Sequence, residues 1–305
     1  MAMNAASHQL YRNPGPSWGF GFLLWAEQWW PRWLFRTGLM AGTWVGLAFM
    51  PQQRAHSRDY LAVVLGRPAT LVEAWRHFFA LAESLVFSLR AGRGAPVNCD
   101  MDRTNAADFE ALLESRRPAL YGTFHFGASD LLGYLLGERG LNITIIRLQV
   151  DNSTDTRLLG ERFGGHVSFL WINDPSRLFF DLKAALDSGR SLALKCDRLE
   201  FSAKAEPFQF LGAPRLFPFT IYHLAILFDR PVVFCIAVQD GRELALRVFS
   251  SPVFRPDPSI DRAANTSAAR QHFQAVLANL ETMIRANPFL WFNFLPLNPE
   301  VTSAA

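Results

Sequence analysis

The sequence predicts an α/β fold, with a mostly parallel central sheet flanked by helices behind an N-terminal helical, membrane-associating region. Three observations predict it. Beyond residue 96, apolar runs of strand length alternate with helical patterns, which implies crossover connections and a parallel sheet. Seven of the nine tryptophans (18, 25, 29, 30, 33, 44 and 75) fall in the first 75 residues. Residues 34–50 form an apolar stretch of 17 residues broken only by Arg36 and two threonines.

Taken in order, residues 1–17 read as a polar tail with Pro14 and Pro16, and no signal-peptide cleavage pattern follows. A spanning helix takes about 20 apolar residues. The stretch at 34–50 is marginal for that, and its Trp and Arg residues gather at one end as in an interfacial belt. It therefore reads as a helix lying in, or dipping into, a membrane surface. The bland reading is that these tryptophans pack a helical subdomain against the body. Residues 54–66 and 70–90 read as amphipathic helices divided by Gly66 and Pro68, with Thr70 as a cap. Glycines, arginines and Pro96 then mark a boundary.

The strand candidates are Leu120–Phe124, Ile143–Leu148, Val167–Trp171, Ser191–Cys196, Val232–Val238 and Leu244–Phe249. Helical patterns cover 128–137, 155–163, 175–187, 218–228 and 266–286. The expected organisation is a tail at 1–17, a helical membrane-associating region at 18–95, an α/β domain at 96–297 and a tail at 298–305. A net charge of +3 is too small to argue for nucleic acid, and no binding motif accompanies it. It suits anionic lipid or an acidic carrier protein. Cys99, Cys196 and Cys235 are far apart, with no Cys/His cluster, so no disulfide framework, metal site or cofactor is implied.

The first strand candidate ends at a histidine, in Ala119-Leu-Tyr-Gly-Thr-Phe-His125-Phe-Gly-Ala-Ser-Asp130-Leu-Leu-Gly. A carboxylate in the first turn of the following helix can reach back to that ring, fix its tautomer and stabilise its imidazolium. Chance supplies many His-X4-Asp pairs, so the spacing alone is weak. A second hint is placement, because open α/β sheets bind ligands beyond the carboxyl ends of their strands. His125, Arg147 and Asp197-Arg198 all fall at such ends. Arg147 also reads as a plain surface charge, and Asp197 and Arg198 as partners of each other.

These residues resemble the glycerolipid acyltransferase superfamily, whose motif is His-X4-Asp/Glu. More closely, the chain looks like the branch of late (lauroyl/myristoyl) acyltransferases of lipid A biosynthesis. Arg147, Leu194-Lys-Cys-Asp197, Pro207-Phe-Gln-Phe-Leu-Gly212 with Phe217-Pro218, and Asn287-Pro-Phe-Leu-Trp291-Phe-Asn293-Phe match that branch in order and approximate spacing, over about residues 18–297. The departures are Ala-Ser-Asp130 where those enzymes have Asn-Trp-Glu, Asp197-Arg198 where they favour Asp-Gln or Asp-His, and Phe219-Thr220 in place of the usual glycine after Phe217-Pro218. A subgroup from aryl polyene and xanthomonadin-type pigment clusters looks nearer, through Ser57-Arg-Asp-Tyr-Leu61, Arg76-His-Phe-Phe79, Asp197-Arg198 and Trp291-Phe-Asn-Phe294.

The resemblance implies a glycerol-3-phosphate acyltransferase-like fold at the cytoplasmic face of a bacterial inner membrane. It implies acyl transfer from acyl carrier protein or acyl-coenzyme A to a hydroxyl of a lipid or glycolipid. His125 is then the general base and Asp130 its orienter. Backbone N–H groups opening the next helix, with Gly127 allowing close approach, are expected to hold the oxyanion. Arg147 is expected on a phosphate or the oxyanion, Asp197 and Arg198 in acceptor binding or structure, and Phe210 and Gly212 along the acyl groove. The run Phe289–Phe294 fits core packing more readily than an acyl tunnel. With no Gly-x-Ser-x-Gly elbow, transfer is expected to be direct. A non-catalytic acyl-binding or scaffolding protein, and a thioesterase using the same dyad, stay open as alternatives.

Overall fold

The computed structural model describes residues 17–147, 165–172, 175–199, 204–240 and 244–301. Four helices come first: α1 (Ser17–Trp29), α2 (Arg32–Phe49), α3 (Pro51–Leu65) and α4 (Leu71–Gly92). Pro51 opens α3 where its missing N–H costs nothing, and Gly66 ends it in the left-handed conformation. Thr70 and Glu73 cap α4 reciprocally, each side chain taking the other's backbone N–H.

The body then runs β1 (Asn98–Met101), α5 (Ala106–Glu114), β2 (Leu120–Thr123), α6 (Leu132–Glu138), β3 (Ile143–Arg147), β4 (Val167–Trp171), α7 (Pro175–Asp187), β5 (Ser191–Lys195), β6 (Ala205–Phe210), β7 (Ala213–Pro218), α8 (Thr220–Phe228), β8 (Val232–Gln239), β9 (Ala245–Ser250) and α9 (Arg262–Ala286). Seven strands form one sheet in the order β1-β9-β8-β2-β5-β3-β4. From β8 to β4 every neighbour is parallel, whereas β9 runs antiparallel to β8 and carries β1 parallel to itself. The expected mostly parallel α/β sheet is thus the architecture found.

Strand periodicity sorts the side chains between two cores. Leu120, Leu192, Val232 and Phe234 face one side, with α3, α7, α8 and α9. Tyr121, Ala193, Val233 and Cys235 face the other, with α5 and α6. Both faces are covered, so β8 is an unbroken apolar run rather than an alternating one. The helical region is not a separate layer. Tyr60 and Leu61 of α3 join the first core, and Phe87 of α4 joins the second. By contrast α1 and α2 lie at the periphery and leave Trp29 67%, Trp33 70% and Phe49 81% exposed. Among the described residues, no helix is long and apolar enough to cross a membrane.

The differences from expectation are local. β1 alternates between exposed and half-buried positions, so it carries no apolar run to read. The β6–β7 hairpin turns on Leu211 and Gly212, both at positive φ, as a two-residue hairpin loop requires. Residues 298–301 are not a tail. Leu216 N–H donates to the Pro299 carbonyl, Val301 N–H donates to that of Pro214, and Arg215 pairs with Glu300, which seats this segment on β7 through a single antiparallel bridge. The helix expected at 155–163, Leu148, and most of both expected tails (1–16 and 302–305) lie outside the described residues.

Candidate active site

The parallel β2–β5 ladder decides which groups meet. Thr123 stands opposite Lys195, so the residues two further on, His125 and Asp197, leave adjacent strand ends side by side. The imidazole donates from Nδ1 to Asp197 Oδ1 at 2.7 Å, and the His125 backbone N–H donates to Oδ2 at 2.8 Å. A third donor reaches the same carboxylate, the indole Nε1–H of Trp291, at 2.8 Å from Oδ2. The Asp197 carbonyl accepts from Asn298 Nδ2 at 3.1 Å.

The carboxylate only accepts, so the imidazole proton sits on Nδ1 and Nε2 keeps its lone pair. Nε2 has no partner among the described residues, and the side chain is 20% exposed, whereas Asp197 is 2% exposed. Burial pushes the His125 ring down to about 4 against the pull of Asp197, with Lys195 and Arg198 pushing the same way, so it is neutral at pH 7. Burial opposes ionisation of Asp197, but the His125 ring, Arg198 and the indole outweigh it and hold the carboxyl well below the usual range.

Asp130, expected to orient His125, does not bond the ring. It lies in a 3-10 turn at Ser129–Leu131 that precedes α6, and its carboxylate, 44% exposed, binds Lys195 Nζ at 2.7 Å. Against the desolvation there, Lys195 and Arg147 hold its carboxyl below the usual range. Arg147 closes β3, as expected of a strand-end cation. Arg198 does not hydrogen-bond Asp197. Its Nη2 donates to the Phe292 carbonyl at 3.2 Å, and its buried Nε has no partner among the described residues.

Gly127 serves the fold rather than an oxyanion. Its φ is +58°, and a Cβ there would collide with the Ala237 carbonyl. Its N–H donates to the Leu290 carbonyl and that of Ala128 to the Ala237 carbonyl, both at 2.8 Å, so neither is open to substrate. The Phe210 ring is buried edge-on to Phe217 and Trp291, and Gly212 is the hairpin turn, so neither lines an acyl groove. Ser129 donates its hydroxyl to the Phe124 carbonyl, and the Cys196 thiol is buried, so neither is presented as a nucleophile. In the run 289–294, Trp291 and Phe292 are buried and Phe294 stacks on His77, which is core packing.

Sequence reasoning missed three partners: Lys195, Trp291 as donor, and Asn298. Lys195 was visible as a cation two residues before Asp197 at a strand end. Nothing local marks Trp291 or Asn298 as partners of residue 197.

His77 is buried and held neutral, its ring pushed down to about 4 by desolvation. In the unfolded chain it protonates near 6.5, so the unfolded state binds the extra proton between those values. Its contribution to stability is therefore complete above about 6.5 and falls as pH drops toward 4. Urea midpoints at pH 7 and pH 5 should show this loss, and His77→Gln should reduce it, leaving the part that His125 contributes by the same displacement.

No family model matches the sequence, and no curated protein matches it significantly. Among solved structures, the 1-acyl-sn-glycerophosphate (LPA) acyltransferase PlsC from Thermotoga maritima overlaps 82% of this chain and 98% of that one, at 12% identity and a TM-score of 0.40. So loose an overlap bears no weight, and the fold and site above stand on this chain's own geometry.

Proposed function

We propose that this chain is a membrane-associated acyltransferase. It moves a fatty or aryl-polyene acyl chain from a thioester, on acyl carrier protein or coenzyme A, to a hydroxyl of a lipid or glycolipid acceptor. The observation that carries the reading is the His125–Asp197 pair: a neutral ring with its Nδ1 proton committed and Nε2 open, at adjacent carboxyl ends of a parallel sheet. Nε2 takes the acceptor's hydroxyl proton as the oxygen attacks the thioester carbonyl. The C–S bond then breaks, and the departing sulfur receives that proton from the imidazolium, which Asp197 stabilises meanwhile. Lys195 and Arg198 place positive charge by the ring, and Arg147 acts with Lys195 on Asp130, charge suited to an oxyanion or a phosphate. The committed hydroxyl of Ser129 and the buried thiol of Cys196 favour direct transfer without an acyl-enzyme.

Membrane association rests on α1 and α2. Trp25, Trp29 and Trp33 stand exposed near the turn between these helices, with Phe49 at the far end of α2, an aromatic surface suited to a lipid interface. Replacing Trp29, Trp33 and Phe49 together by alanine should weaken binding to vesicles containing anionic lipid by at least roughly tenfold, since burying one large apolar side chain is worth about 1.5–3 kcal/mol. Vesicle co-sedimentation checks this, and unchanged binding would return the aromatics to a packing role.

The test of the activity is mass spectrometry of lipid and pigment extracts from cells carrying wild-type protein or His125→Ala. A species lighter by one acyl mass in the mutant names the acceptor. Identical extracts under conditions of expression would move the reading to acyl binding or scaffolding, and thioester turnover without any acceptor would move it to a thioesterase.

A further inference from the structure

The Asp197 carboxylate is oriented by a chain of hydrogen bonds that begins in the helical region. Oδ2 takes two donors, the His125 amide and the Trp291 indole, which among the described residues leaves Oδ1 to the imidazole alone. That division fixes the rotation of the carboxylate and so the direction of its pull on the ring. Trp291 is itself held tightly. It is 2% exposed, packs edge-on against Tyr60 at 5.1 Å, and accepts at its carbonyl from His77 Nε2–H at 2.8 Å. Because that carbonyl only accepts, His77 carries its proton on Nε2, and its Nδ1 accepts from the Ser57 hydroxyl at 2.9 Å. Ser57 belongs to α3 and His77 to α4, and both are fully buried. The strand-like segment that carries Trp291 also bonds the motif directly: Phe292 N–H donates to the His125 carbonyl at 2.7 Å, and Gly127 N–H donates to that of Leu290.

We propose that Trp291 is a positioning residue for the His125–Asp197 pair, and that Ser57 and His77 fix Trp291 from α3 and α4. The helices that precede the α/β body are then part of the apparatus that aims the base, besides supporting α1 and α2. This rests on the reading of His125 as the base. A buried polar chain that served only packing would lose stability on a single apolar replacement but leave the titration and turnover of the folded protein unchanged, whereas one that aims a carboxylate would alter both.

The experiment compares Trp291→Phe, His77→Phe and His77→Gln with wild type in the full chain. One readout is the ring-nitrogen NMR titration of His125; the other is kcat and KM with the acceptor named by the extract comparison. Trp291→Phe removes a donor and leaves more charge on the carboxylate facing the ring. The His125 titration should therefore move up by about half a pH unit or more. Turnover should fall roughly tenfold with KM little changed, the size typical of lost outer-shell partners. His77→Phe should act in the same direction with smaller effect. His77→Gln, which keeps an N–H in the place of Nε2, should restore both readouts. Wild-type titration and turnover in both phenylalanine variants would overturn the proposal, as would a glutamine variant no better than phenylalanine. If Trp291→Phe does not fold, the His77 pair decides the matter. If the wild type transfers no acyl group, the functional reading fails, while the His125 titrations still decide whether Trp291 and His77 position the pair.

Discussion

Asp197→Asn should lower acyl transfer by about 10³–10⁴-fold, while Asp130→Asn should cost less than roughly tenfold. The asymmetry follows from the bonding of each carboxylate. Two N–H donors converge on Oδ2 of Asp197, so an asparagine there must turn its carbonyl oxygen toward them. Its NH2 then faces His125 Nδ1, which can only accept, and the ring proton moves to Nε2. The base loses the lone pair it needs, although shape and volume are unchanged. Among the described residues Asp130 bonds directly only to Lys195, at 44% exposure, so its amide loses one partly solvated ion pair. Turnover of the two purified variants, with the ring tautomer read by NMR, checks the argument. Greater damage from Asp130→Asn would restore the local His-X4-Asp pairing as the working one.

Gly127→Ala should be the most destabilising single-methyl change at the site, by about 3 kcal/mol. A non-glycine residue at positive φ costs about 1–2 kcal/mol, and forcing a methyl group into a packed interior typically costs another 1–3 kcal/mol. The new Cβ would meet the Ala237 carbonyl oxygen, which is backbone and already accepts from Ala128 N–H. It cannot step aside without moving β8 or the turn after His125. Denaturant unfolding of the purified variant measures the effect. A loss below about 0.5 kcal/mol, the range of an ordinary surface substitution, would show that the turn relaxes freely.

The legible and illegible parts of this chain divide by sequence distance. The strand ending at Thr123, the helix Pro175–Asp187 and the long helix to Ala286 were readable because period and caps are local signals. His125 at a strand end was readable for the same reason. Its partner was not. Asp130 lies five residues away and looks right on a linear chain, but a 3-10 turn points it toward Lys195. Asp197 lies 72 residues away and arrives only through the β2–β5 register, which no local pattern encodes. Phe210 and Gly212 misled in the converse way. A Phe-Leu-Gly string carries no sign that a positive-φ pair will fold it into a tight hairpin and bury the ring.

The donors that complete Asp197 come from residues 291 and 298, and the segment that bonds the open edge of β7 comprises residues 299–301. In a chain made from its N-terminus, domains fold as their residues emerge. His125 and Asp197 therefore leave the ribosome well before the segment that locks them. Until residue 291 has emerged, the carboxylate lacks the indole that directs it, and β7 shows an unpaired edge that other strands can join. A nascent chain thus carries both members of the pair without a finished base, and the same late segment that aims the carboxylate closes the exposed edge.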